Sequence, residues 1–200
     1  MNFATVEEMI EEAGGAGPYQ TQSTIVLILT LACSYFILIA LPFLLLPPSF
    51  RCFANDGSDL SGYDCVPSNF CTDKNIRAEK IPSRTTFTNW MTDFDMICSN
   101  PQVLLGFYLL IFTGLVIGGL FLAPLTDKFG KKKPLAIALV LMILLYTLII
   151  LADSYTKLHY YMLVYGILLA VIIVAGLLLM LQLTVRERWP ILILFTLCAI

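Results

Sequence analysis

Four stretches of this chain, residues 24–47, 101–125, 134–152 and 160–183, contain no Asp, Glu, Lys or Arg. Each is about as long as a helix needs to be to cross a hydrocarbon core of roughly 30 Å at 1.5 Å per residue. A water-exposed helix of that length would carry a polar stripe along one side, and these stretches have none. The chain therefore reads as an all-α polytopic membrane protein. Charged residues make up only 13 % of its 200 positions and cluster between the apolar runs. A fifth run begins at Trp189 and reaches Ile200. Twelve helical residues extend only about 18 Å, so this span is expected to be completed by more of the chain or by a partner.

The expected order follows the charges. A cytosolic amino-terminal segment over 1–22 precedes a first span over 23–47. A cysteine-bearing extracytoplasmic loop over 48–100 leads to a second span over 101–125, a cytosolic loop over 126–133 and a third span over 134–152. A fourth span covers 158–183 and a partial fifth 189–200. Thr5 and Glu8 fit a capping box, and Val6, Met9, Ile10 and Ala13 follow at helical spacing, which predicts a short amphipathic helix before the first span. The length of the first apolar run and the acidic start, with Glu7, Glu8, Glu11 and Glu12 and no basic residue, argue against a cleavable signal, and the acidity also argues against a mitochondrial presequence. Asn100-Pro101 predicts an N-cap followed by proline at the first helical position.

Orientation follows from the basic residues. Lys128, Lys131, Lys132, Lys133, Arg186 and Arg188 lie in short loops on the amino-terminal side, against only Lys157 in the short loop opposite. The amino terminus is thus expected in the cytosol, with the plasma membrane as the expected location and an organelle membrane as the alternative. Cys52, Cys65, Cys71 and Cys98 then face outward, where disulfides persist; two bridges are expected, in any of three pairings. Cys33 and Cys198 lie in apolar runs and are expected to be inert.

The stretch APLTDKFGKKKPL, with Asp127, Lys128, Gly130, Lys131 and Lys132, resembles the loop between spans 2 and 3 of the major facilitator superfamily. GGAGPYQ at 14–20, FRC at 50–52 and NWMTDFDMICSN at 89–100 are similar to stretches of its organic cation and anion transporter-like branch. The resemblance covers about residues 13–188 and implies half of a facilitator-type helix bundle, four full spans plus a partial fifth. It implies that Asp127 and its neighbours form a gating motif that latches the two halves of a carrier in one access state. Two positions depart from the pattern. Ala123 stands where the motif's first glycine is expected, and Met162 stands where the fourth span carries an arginine.

The physics of the loop is consistent with that role. Gly130 permits a tight reversal, the lysines supply cytosolic charge, and Asp127 is suited to capping a helix N-terminus. Gly114 and Gly118, with Gly119 adjacent, form a small-residue face in the second span, and Gly166 and Ala170 another in the fourth; such faces pack helices closely in lipid. Ser34, Tyr35, Tyr108 and Tyr165 are the candidate solute-pocket residues, tyrosine rings being suited to an organic cation. Tyr155, Tyr160 and Tyr161 read as an interfacial belt. No carboxylate lies within the spans, which argues against proton coupling through this half.

No catalytic constellation, metal cluster or phosphate-binding glycine loop is found, so neither an enzyme nor a cofactor is expected, and nothing points to nucleic acid. The expected partners are the lipid bilayer, a small-molecule solute, and either a carboxy-terminal half or partner membrane subunits. The expected function is transport of a small organic molecule, an organic ion for preference, by alternating access. The competing expectation is a carrier-derived structural subunit of a larger membrane complex.

Overall fold

In a chain so poor in polar side chains, the backbone itself supplies most of the hydrogen bonding, and helices result wherever the apolar runs are long. The computed structural model describes residues 17–54, 63–72, 76–81 and 89–183. The amphipathic helix expected around Thr5 and the partial fifth span at 189–200 lie outside them. The long helices are α1 (Pro18–Leu44), α4 (Pro101–Ile117), α6 (Lys132–Ile150) and α7 (Tyr155–Leu183). Between α1 and α4 lie strands β1 (Phe50–Ala54), β2 (Tyr63–Cys65) and β3 (Ile76–Lys80) and short helices α2 (Pro67–Thr72) and α3 (Trp90–Asp93). A short helix α5 (Ala123–Phe129) precedes α6. Among the described residues, four helical stretches are long and apolar enough to cross a membrane, as expected of an all-α polytopic bundle.

The described residues fall into two units. The first holds residues up to Ile39, Phe107–Ala152 and those from Thr156 onward. Its most buried helix is α7, where Leu158, Met162, Tyr165, Leu169 and Ile172 recur at helical spacing and are wholly inaccessible. Helix α6 buries Leu135, Ala138, Met142, Leu145 and Ile149 and exposes Ile137, Val140, Ile143, Leu144 and Ile150 on its other sides. Water would penalise so much exposed aliphatic surface; lipid tails do not.

Helices α4 and α7 meet backbone to backbone. A Cβ on Gly114 would collide with Leu163 O, and one on Gly166 with Ile111 O. One on Gly118 would stand 2.5 Å from Ile167 O and 2.8 Å from the Ala170 Cβ. Gly119 has nothing within 4 Å of its Cβ position and takes no part. Just beyond, Gly118–Leu122 forms a π-helical turn. Pro124 lacks an N–H and its ring would press on the carbonyl four residues back, so the wider turn relieves the clash and lets α5 follow.

The stretch expected as a loop over 126–133 is mostly helical. Helix α5 runs to Phe129 and α6 resumes at Lys132, with Gly130 at φ 79° between them. One residue in the left-handed region is enough to break the helix, because the next carbonyls then point away from the axis.

The second unit comprises Ala40–Gly106 and Asp153–Tyr155. The strands form an antiparallel sheet in the order β2-β1-β3, a feature that the short alternations FRCFA, YDC and IRAEK did not announce. Phe50 and Cys52 are buried on one face, with Phe50 against Phe70 at 4.9 Å between ring centroids. On the exposed face Arg51 sits in register between Asp64 and Glu79. Of the three possible pairings, the structure holds Cys52–Cys65 and Cys71–Cys98. Each bridge closes a loop long enough to contribute about 3 kcal/mol through the unfolded chain. Just past the end of α1, Asn89 Nδ2 donates to Leu46 O at 2.6 Å and, more weakly, to Phe43 O at 3.4 Å, supplying a donor to carbonyls at the helix C-terminus. The cap predicted at Asn100 is present, its Oδ1 accepting from the Gln102 N–H at 3.1 Å.

Because the α4–α7 contact leaves no room for a methyl group, Gly114→Ala and Gly166→Ala are each expected to cost roughly 1–3 kcal/mol, as overpacking does. Gly119→Ala should leave the thermal midpoint of the detergent-solubilised protein unchanged. Equal midpoints for all three variants would contradict the contact.

Candidate functional site

A hydroxyl inside an apolar bundle must find an acceptor or lose the hydrogen bond it made with water. In the first unit three helices meet around such groups. Tyr165 of α7, wholly buried, donates to Ser34 O of α1 at 2.7 Å. Tyr146 of α6 donates from the side, its hydroxyl 2.9 Å from Cys33 O and 3.2 Å from Ser34 O. The two rings lie 6.4 Å apart, tilted by 43°. Ser34 Oγ in turn donates to Thr30 O at 2.8 Å, one turn back along α1. A carbonyl has two lone pairs, so a helical carbonyl already engaged along the axis still accepts from a neighbouring helix. The result is a polar node tying α1 to α6 and α7 in an otherwise apolar interior.

Of the four residues read as pocket candidates, Ser34 and Tyr165 belong to this node. Tyr35 is buried on α1 beside it, at 7 % exposure. Tyr108, half-buried on α4, does not join the hydrogen-bonded group. Tyr146 was missed by sequence reasoning. The signal was available: a lone tyrosine in the middle of the third apolar run carries an O–H that must reach across to another helix. The chain's one histidine, His159, stacks on the buried Phe107 with centroids 4.0 Å apart, pairing the beginning of α7 with α4.

The motif residues lie at the α5–α6 junction. Lys128 closes α5, Gly130 makes the break, Lys131 precedes α6 and Lys132 opens it. Lys128, Lys132 and Lys133 are exposed and Lys131 half-exposed, so the junction presents a dense positive charge. The backbone of Asp127 is part of α5; its side chain and that of Ala123 lie outside the described residues. The N-cap residue of α6, Lys131, makes no side-chain cap bond, and the first residues of the helix are cationic, an unfavourable sign for a helix N-terminus. Met162, at the place of the expected arginine, is wholly buried in α7. Around the bundle, Tyr155 and Tyr160 are exposed near the start of α7 and Cys33 is a free, exposed thiol on α1. The arrangement can hold helices at fixed spacing and present charge at one junction. Among the described residues, no group of three or more His, Cys, Asp or Glu side chains is placed to hold a metal ion.

Tyr165→Phe removes one O–H and leaves the ring in place, so the expected loss is about 1 kcal/mol, within the range of interhelical hydrogen bonds in membranes. Tyr146→Phe should couple to it, since both hydroxyls reach Ser34 O; a double-mutant cycle on thermal unfolding reads the coupling, and strict additivity would argue against a shared node. Gly130→Ala, although it has open space around its Cβ position, is expected to cost roughly 1 kcal/mol through its positive φ alone. A thermal midpoint unchanged in that variant would show that the junction bends elsewhere.

The family model described as "Sugar (and other) transporter" matches residues 57–187, about two thirds of the chain. No curated protein gives a significant match. The matched range takes in α4 to α7, the glycine contact and the whole lysine-rich junction. A multi-pass bundle of apolar helices, a motif junction between the second and third of them and this match lead to one conclusion: the chain belongs to the sugar (and other) transporter family of the major facilitator superfamily, a family of membrane transporters and not of enzymes.

Proposed function

We propose that this chain forms the amino-terminal bundle of a carrier that moves a small organic solute across a membrane by alternating access. The observation that carries the reading is the family match over 57–187, which includes the Asp127-Lys128-x-Gly130-Lys131-Lys132 junction between two membrane helices. In this reading the amino terminus and the junction face the cytosol, as the lysine density supports. The two disulfides support an extracytoplasmic loop, and the plasma membrane is the proposed location. The organic cation and anion transporter-like branch, on the strength of FRC and NWMTDFDMICSN, makes an organic ion the solute proposed first, with sugars next.

Asp127 and the lysines are proposed to act as the latch between the two halves of the carrier. Ser34, Tyr35, Tyr108 and Tyr165 are proposed to line the solute pathway, Tyr108 first among them because its hydroxyl is not engaged in the α1–α6–α7 node. A carboxy-terminal half, in the same chain or a partner, would supply the other wall.

One observation favours a second reading, a carrier-derived structural subunit. Met162 fills the place of the span-4 arginine and is wholly buried, so no cation stands there to pair with the motif aspartate.

The test is uptake into cells expressing the protein as its gene encodes it, with labelled organic cations, organic anions and sugars. Saturable uptake of one class, lowered several-fold by Asp127→Asn at equal surface abundance, is the expected result. Uptake that the variant leaves unchanged would remove Asp127 from the mechanism. No uptake of any class, with other membrane proteins co-purifying in fixed proportion, would replace the carrier by the structural subunit.

A further inference from the structure

The segment 89–100 is attached at more points than a connecting loop requires. At its start, the Asn89 amide donates to Phe43 O of α1 and to Leu46 O, two residues past the helix end. Thr92 Oγ1 accepts from the Asn89 N–H at 3.1 Å and holds that end in shape. In its middle, Met91 and Met96 are buried at 3 % and 2 % exposure. At its end, Asn100 caps α4. Between Met96 and Asn100, Cys98 is bonded to Cys71 of α2. All of these contacts lie within the second unit.

The two disulfides have different surroundings. Cys52 sits on the central strand of the sheet with no exposure, and its partner Cys65 is half-buried. Cys71 and Cys98 are both exposed, one on a short helix and one at the end of a single 3₁₀ turn. Thiol–disulfide exchange requires a thiolate to approach one sulfur in line, so access governs which bridge opens first.

We propose that residues 89–100 form a strap joining the loop ends of α1 and α4, and that the exposed Cys71–Cys98 bridge is a thiol-openable buckle on it, the Cys52–Cys65 bridge remaining closed. A small thiol such as glutathione attacks Sγ of Cys71 or Cys98 as the thiolate. It forms a mixed disulfide and expels the other cysteine as a thiolate, which takes up a proton. A second small thiol attacks the mixed disulfide and releases the first cysteine. The bridge gains two electrons and two protons, and the two small thiols leave as their own disulfide. Opening removes the covalent tie to α2 and leaves the strap held by the Asn89 amide, the buried methionines and the cap at Asn100, while the sheet keeps its cross-link. The inference concerns the loop alone and stands whether or not the chain transports a solute.

The experiment uses the full chain in detergent micelles, treated with graded glutathione, quenched with N-ethylmaleimide and mapped by mass spectrometry. Cys71 and Cys98 are expected to be labelled at least about tenfold faster than Cys52 and Cys65, as differences in access to the sulfurs produce. Equal rates, or Cys52 and Cys65 first, would overturn the proposal. At a glutathione level that opens only the first bridge, amide hydrogen exchange should rise over 89–100 and stay slow over Phe50–Ala54 and Ile76–Lys80. Unchanged exchange over 89–100 would also overturn it, since the bridge would then hold nothing. The Cys71→Ser, Cys98→Ser double variant should show the raised exchange without any thiol; if that variant does not fold, the labelling order in the parent chain decides.

Discussion

Backbone meets backbone where α4 crosses α7, and the arrangement of the helical unit depends on that contact. Inside a bilayer there is no water to expel between two helices, so the ordinary hydrophobic driving force for their association is absent. What remains is close packing and the occasional hydrogen bond. Gly114, Gly118 and Gly166 let the main chains approach until a single methyl group would collide with a carbonyl oxygen. Close approach multiplies weak dispersion contacts along the helices, each small and together large. Helix α7 is the most buried of the four for the same reason: it faces α4 across the glycines and faces α1 with Tyr165 and Gly176, whose Cβ position lies 3.4 Å from Leu31 Cδ2.

The tyrosine node adds direction to this packing. Dispersion fixes distance but tolerates sliding, whereas an O–H aimed at one particular carbonyl sets the register of one helix along another. Tyr146 and Tyr165 reach the same turn of α1 from two helices, so a single pair of carbonyls, those of Cys33 and Ser34, sets the height of both. The node therefore reads as part of the frame of the bundle.

The cysteine-bearing unit solves a different problem. A unit of about seventy residues with short strands does not bury enough apolar surface to be stable on that account alone. Phe50 against Phe70 and the buried Met91 and Met96 supply a little apolar burial, and the two disulfides add to it by limiting the unfolded chain.

Much of this was legible in the residues. The charge-free runs gave away four membrane helices because only a helix satisfies its own backbone in lipid. Asn100-Pro101 announced a capped helix start, and LTDKFGKKKPL placed a junction in a transporter superfamily. The small residues at Gly114, Gly118, Gly166 and Ala170 marked two faces but not that they were partners, since spacing within a helix carries no information about which helix lies opposite. The acceptor of Tyr146, the partners of Asn89 and the pairing of the cysteines were not readable, because each depends on residues far away in sequence: 112 positions separate Tyr146 from Ser34, and 43 separate Asn89 from Leu46. Local chemistry thus determined which segments are the long membrane helices and what family they resemble. Tertiary structure alone decided which glycine meets which carbonyl, where each hydroxyl finds its acceptor and which sulfurs join, because those contacts arise only once the helices and strands have found one another.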